Sequence, residues 1–147
     1  MRINGEWVQC DDGVMRPCLQ GLIRLNENDW IEFPLLLDAG ADRTVLNAQL
    51  LEVLQPLANA PSAEDVQLAG IGGSAVTTTV DVIIWLKRDT DDYIKIRGPF
   101  SAFTELASSD ISILGRDVTN NFRVIYDYLD QAVMLLAPPH RYEIKTT

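Results

Sequence analysis

Three stretches of the chain carry residues able to do chemistry. In LLLDAGADRTVL, residues 35–46, an apolar run ends at Asp38, Gly40 follows two residues later and a second carboxylate, Asp42, two after that. FPLLL before Asp38 reads as a buried strand, so the carboxylate sits at a strand end. Gly40 permits a tight turn or a close backbone approach that a side chain would block. The plainer alternative is an Asx residue that only bonds its own turn. In VQLAGIGGSAVTTTVDVIIWL, residues 66–86, Gly70, Gly72 and Gly73 tip a long hairpin. No GK[ST] follows and the next residues are β-branched, which argues against a phosphate cradle. The tip is either an ordinary turn or a mobile lid with bare backbone amides. In DISILGRDVTNNF, residues 110–122, an aliphatic strand runs into Gly115, and Arg116 or Asp117 opens a short helix. Arg116, directly after a buried strand, is placed to pair with a carboxylate inside the fold, and Asp42 is the candidate; the alternative is a surface charge.

The elements that must position these residues are strands. Turn chemistry recurs every 8–15 residues, and the runs between are short and β-branched or aliphatic, the pattern of an all-β domain. The spacing predicts strands near 5–10, 14–25, 30–37, 66–70, 74–87, 93–100, 111–114, 122–128 and 131–136. Turns are expected at DDG, NEND, GIGG, RDTDD and YLDQ. One helix is expected in NAQLLEVLQPL, capped by Asn47 with Leu50, Leu51 and Leu54 on one face before Pro56. ANAPSAED reads as a loop, because neither flank alone would make a core.

Size and charge narrow the class. At 147 residues the chain is expected to form one domain over 1–147. Its composition is 47% hydrophobic and 22% charged, with no run of 18 apolar residues, which argues against disorder and a membrane span. MRINGEWVQCDDG has no apolar signal region, and the expected compartment is cytoplasmic. A formal charge of −9 with scattered basic residues gives no footprint for nucleic acid. A two-residue turn at Asp12-Gly13 would set Cys10 opposite Met15 and Cys18 opposite Trp7, which disfavours a disulfide between the cysteines. With one histidine, His140, and no paired C-x-x-C, neither a zinc site nor another cofactor is expected. DTDDY, residues 89–93, lacks the glycine and glutamate of a calcium loop and reads as a solvated turn. Trp7, Trp30 and Trp85 are expected in sheet packing. Neither Ser74 nor Cys18 has a histidine in a nucleophile motif.

In order and spacing, LLDAGAD (36–42), AGIGG (69–73) and ILGRD (113–117) resemble the retropepsin family, the single-domain aspartic proteases typified by retroviral proteases. The resemblance implies an acid-protease closed β-barrel with a flap hairpin and one or two short helices. It implies an aspartic endopeptidase in which Asp38 is catalytic. Two carboxylates held together share one proton, so one acts as acid while the other acts as base on a trapped water. This chain has a single such motif in a hydrophobic setting, so the partner carboxylate is Asp38 of a second copy across a two-fold axis, a homodimer. Substrate would be an extended peptide or protein segment. Gly40 would let its backbone approach, and Asp42, held by Arg116, would bind that backbone. Gly70 and Ile71 would close over it from the flap.

The sequence departs from the family at Ala39, where the pattern has Thr or Ser. In the family that hydroxyl donates to the opposite subunit's loop and locks the two catalytic loops together; alanine cannot. Ala39 therefore bears on assembly before it bears on chemistry. Its presence keeps a rival reading open, a catalytically weak or inactive dimerisation or peptide-binding module on the same fold. A monomeric β-domain with Asp38 as a simple turn residue is the third.

Overall fold

The computed structural model describes residues 1–54, 66–70, 73–106, 110–139, 143 and 145. Twelve strands and two short helices follow one another in these residues: β1 Arg2–Gln9, β2 Met15–Arg24, β3 Trp30–Leu37, β4 Val45–Leu46, α1 Ala48–Leu54, β5 Val66–Gly70, β6 Gly73–Val80, β7 Ile83–Lys87, β8 Tyr93–Arg97, β9 Phe100–Phe103, β10 Ser112–Leu114, α2 Arg116–Thr119, β11 Arg123–Asp127 and β12 Ala132–Leu136. The class is all-β with the fold elements expected. Ladder pairings run β11-β12-β1-β2-β3-β10-β4-β9-β6-β5, with β7 joining β2 and β8 joining β7. Among the described residues this path has β11 and β5 at its two ends.

Several boundaries differ from the sequence pattern for identifiable reasons. The chain over 74–87 divides at Asp81-Val82, because β6 pairs with β5 and β9 whereas β7 crosses to β2 and β8. The run 93–100 breaks at Gly98-Pro99, where proline has no N–H to continue a ladder. The first hairpin has a three-residue loop: Cys10 N donates to Val14 O at 3.0 Å, and Gly13 takes φ +79°. The register therefore shifts by one from the two-residue turn expected, setting Trp7 opposite Pro17 and Glu6 opposite Cys18. Cys10 and Cys18 are not neighbours, and both are free thiols.

Alternation gives the central strands two distinct faces. On β2, Leu19, Gly21 and Ile23 are buried, and on β3, Phe33, Leu35 and Leu37 are; all but the glycine belong to the main hydrophobic cluster. Gly21 is tight there, since a Cβ would lie 2.8 Å from Leu35 Cδ1. Pro34 and Leu36 point the other way, and Asp38 continues their parity. On β10, Ser112 and Leu114 are buried while Ile113 faces out beside Leu36. One row of cross-strand partners runs from Glu6 through Cys18, Leu36 and Ile113 to Val45, in which Cys18 and Val45 are buried and Ile113 packs against a second cluster of Val45, Ala48 and Phe103. Helix α1 closes one side of the core with Ala48, Leu50, Leu51 and Leu54, and its first turn is capped by Asn47 Oδ1, which accepts from Leu50 N at 2.8 Å. Trp30 and Trp85 meet edge to face at 5.2 Å on the sheet surface, and Trp7 meets Tyr128 at 4.9 Å. No helix among the described residues is long and apolar enough to cross a membrane.

Candidate active site

The loop 38–44 is built around the end of β10, which lies between β3, its parallel neighbour, and the short antiparallel β4. The carboxylate thus belongs to the outer face of the sheet and not to the core beneath it. Asp38 N donates to Leu114 O at 3.2 Å, carrying the β3–β10 ladder one residue further and fixing where the carboxylate leaves the sheet. Gly40 N donates to Asp38 Oδ1 at 2.8 Å, and Ala41 N to Asp38 O at 3.2 Å, so Asp38 also bonds its own turn. One carboxylate oxygen is thus held in the turn, and Oδ2 has no hydrogen-bond partner among the described residues. A Cβ at Gly40 would lie 3.1 Å from Asp38 Oδ1, close enough that the carboxylate would have to shift by a few tenths of an ångström.

Backbone amides of the helix entrance hold the rest of the loop. Arg116 N donates to Ala41 O at 2.8 Å and Asp117 N to Asp42 O at 3.2 Å. Gly115 passes so close beneath that a Cβ would come within 2.3 Å of the Arg43 carbonyl carbon. Arg116 Nη2 donates to Asp42 Oδ1, and this ion pair is on the surface, with the Arg116 side chain 51% and the Asp42 side chain 77% exposed. The expected pairing with a carboxylate inside the fold therefore needs correction. The arginine lies at the surface, while its neighbour Asp117 turns its carboxylate to the buried Thr44.

Asp117 and Thr44 form the inner lock, which the sequence motifs did not suggest. Thr44, 0% exposed, donates from Oγ1 to Asp117 Oδ1 at 2.8 Å and from N to Asp117 Oδ2 at 2.9 Å. The same Oγ1 accepts from Gly115 N at 3.1 Å. A second neighbour was also missed. Burial, and then the Asp38 charge, raise the Tyr126 phenol above its ordinary value. Nothing in the spacing joins positions so far apart; a buried threonine in RTVL and the Asp after GR were the only available signals.

The hairpin β5–β6 brings Gly70 opposite Gly73 across the tip. Ile71, expected at the flap tip, lies outside the described residues, as do Gly72 and His140. Ala39 is exposed at the top of the Asp38 turn. Among the described residues no group of three or more His, Cys, Asp or Glu is arranged to hold a metal. Cys18 is buried and its thiol is pushed up to about 11 by that burial first and by nearby negative groups second, which leaves it a poor nucleophile.

A loop bearing D-x-G, wrapped round a strand that ends in G-R-D, on an all-β chain of this order, is the arrangement of the retropepsin-like fold. The chain is similar in structure to a retropepsin-like aspartic protease from Rickettsia conorii, with a TM-score of 0.50 and 16% sequence identity, over 92% of this chain and 90% of that one. At that identity the likeness establishes the fold alone. It is also similar to the EIAV protease complexed with the inhibitor HBY-793, with a TM-score of 0.46 and 25% identity, over 77% of this chain and 92% of that one. No family model and no curated protein sequence matches the chain.

Proposed function

We propose that the chain, acting as one domain over 1–147, is an aspartic endopeptidase that works as a homodimer. The observation that carries this reading is the state of Asp38. It leaves the sheet on the outer face, one oxygen is held by Gly40 N at 2.8 Å, and the other is unpartnered among the described residues. A lone carboxylate so placed has no acid–base partner among the described residues of its own chain. A second copy across a two-fold axis would supply one, and the two would share a proton. The unprotonated member takes a proton from the water that attacks the peptide carbonyl. The protonated member donates to the carbonyl oxygen, and the returning proton goes to the departing amine.

The remaining residues take supporting roles in this reading. Gly40 leaves room for an extended substrate backbone at the floor of the site, and Asp42, paired with Arg116, hydrogen-bonds that backbone. Gly70 and Ile71 at the β5–β6 tip act as a flap that covers the bound peptide and excludes water. Ala39, exposed beside Asp38, faces the partner subunit. The free thiols Cys10 and Cys18 fit a reducing, cytoplasmic compartment.

The test is cleavage of an unbiased peptide library between about pH 3 and 7, where a shared-proton pair titrates. Cleavage by the natural chain and none by Asp38→Asn is the expected outcome; equal background from both would overturn it. A second reading, a non-catalytic dimerisation or peptide-binding module, is favoured by Ala39 alone. It predicts peptide binding and self-association that survive Asp38→Asn, with no cleavage by either protein.

A further inference from the structure

The outer face that carries Asp38 also carries a cavity of about 410 Å³. Its floor is apolar, built by Val8, Pro34, Leu36 and Ile111. Leu36 lies two residues before Asp38 and shares its parity where the chain leaves β3, a separation of about 6.5 Å. Ile111 precedes β10, whose last carbonyl receives the Asp38 amide. From β2, Arg16 stands one same-face step beyond Cys18, the cross-strand partner of Leu36, so the pocket and the reactive carboxylate are adjacent on one surface.

The rim of this cavity is acidic. Asp11, Asp12 and Asp110 surround it, with Arg16 as the one lining base among the described residues. Arg16 is already committed: its guanidinium forks onto Asp12, Nη1 to Oδ1 at 2.8 Å and Nη2 to Oδ2 at 2.6 Å. That fork holds the Asp12 carboxyl down to about 2 and leaves the pair neutral in sum. Asp11 and Asp110 have no side-chain partner among the described residues. The site therefore has an apolar floor beside the reaction centre and two uncompensated carboxylates at its mouth.

We infer that this cavity is a specificity pocket for a lysine or arginine side chain next to the cleaved bond, whose aliphatic stem covers Leu36 and Ile111 while its cation meets Asp11 and Asp110. Long cationic side chains bury their methylenes on apolar surface and keep the charged head at a polar rim. An acidic substrate residue would meet like charge on a chain whose net charge is already −9. The inference rests on the endopeptidase reading for the position of the cleaved bond, and its test keeps the two separable.

The probes are three reduced-amide peptides, uncleavable and identical except for Lys, Leu or Glu beside the reduced bond, together with their cleavable counterparts. With the full chain at low salt, the Lys peptide is expected to bind about 3- to 30-fold more tightly than the Leu peptide, and the Glu peptide most weakly. The double substitution Asp11→Asn/Asp110→Asn is expected to bring Lys and Leu to parity. Raising the salt to about 0.5 M with the natural chain is expected to erode the same preference, which serves if the double variant does not fold. Leu binding as well as Lys at low salt would overturn the inference, and so would a preference indifferent to both salt and the double substitution. Cleavage that requires Asp38 but ignores the Lys residue sinks the pocket and spares the protease. Lys-selective binding with no cleavage sinks the protease and spares the pocket.

Discussion

Replacing Thr44 by valine tests what holds the Asp38 loop in place. The Thr44 hydroxyl is fully buried, gives a 2.8 Å hydrogen bond to the Asp117 carboxylate and receives one of 3.1 Å from Gly115 N. Valine keeps the volume and removes both. A hydrogen bond to a charged group contributes about 1.5–3 kcal/mol, and a buried N–H left without an acceptor costs about 1–3. Asp117 reaches solvent and recovers part of its share from water, so the net loss comes to about 2–4 kcal/mol. Against a total of about 5–15 kcal/mol this is a large fraction, and for a chain of this size it lowers Tm by roughly 5–15 °C. Urea unfolding is the assay, with the midpoint moving and the slope unchanged. It should be run at two protein concentrations, because self-association would make the midpoint concentration-dependent. Thr44→Ser is the control: it keeps the hydroxyl, gives up one methyl and should lose only about 1 kcal/mol. A Thr44→Val midpoint within about 1 kcal/mol of the natural chain, or a serine variant as weak as valine, would refute the lock.

Three further outcomes follow from the same geometry. Gly115→Ala drives a Cβ to 2.3 Å from the Arg43 backbone, and should cost more than about 3 kcal/mol or abolish soluble expression; Gly13→Ala, strained only by its φ of +79° with open space around it, should cost about 1 kcal/mol. Burial raises the folded-state pKa of Cys18 to about 11, so the neutral thiol favours the folded chain. That stability is intact below the ordinary thiol range near pH 9 and is lost as pH climbs towards 11, about 2–3 kcal/mol in all; pH-dependent urea midpoints should flatten over that window in Cys18→Ala. Ala39→Thr restores one donor per subunit at the proposed interface, and two hydrogen bonds of about 0.5–1.5 kcal/mol each should tighten the dimer about 5- to 150-fold by sedimentation. An unchanged dissociation constant there would show that position 39 does not face the second chain.

The parts of this fold that sequence made legible are those fixed by local rules. Strand parity through FPLLL-x puts Asp38 on the face opposite Leu35 and Leu37, and Asn47 caps its helix as its residue type demands. Local rules mislead where one residue chooses between two turns. Asp12-Gly13 reads as a two-residue turn, but Gly13 takes a positive φ as the third loop residue and every cross-strand partner on that hairpin moves by one. They are silent where a contact spans the chain. Thr44 and Asp117 are 73 positions apart and meet only because β10 is threaded between β3 and β4, so neither looked like more than a strand start and a helix-turn acid. The two-residue β4 is too short to show alternation at all.

The distribution of cations around the outer face bears on why a second carboxylate would be tolerated there. Arg116 sits at the base of the Asp38 loop and Arg16 at the near end of β2, and either placed on Asp38 would bind its charged form and oppose protonation. Both are engaged elsewhere, Arg116 by Asp42 and Arg16 in a two-point fork by Asp12. The loop is held instead by backbone amide-to-carbonyl hydrogen bonds and by the neutral Thr44 hydroxyl, groups that fix position without adding a full positive charge. In the proposed dimer a carboxylate so held stays open to a like charge brought beside it, whereas one locked to an arginine does not. The same separation makes a direct demand on mutants: freeing Arg116 by Asp42→Asn should depress any cleavage at the acidic end of its pH range less than at the neutral end, since a released guanidinium disfavours the proton the pair must keep.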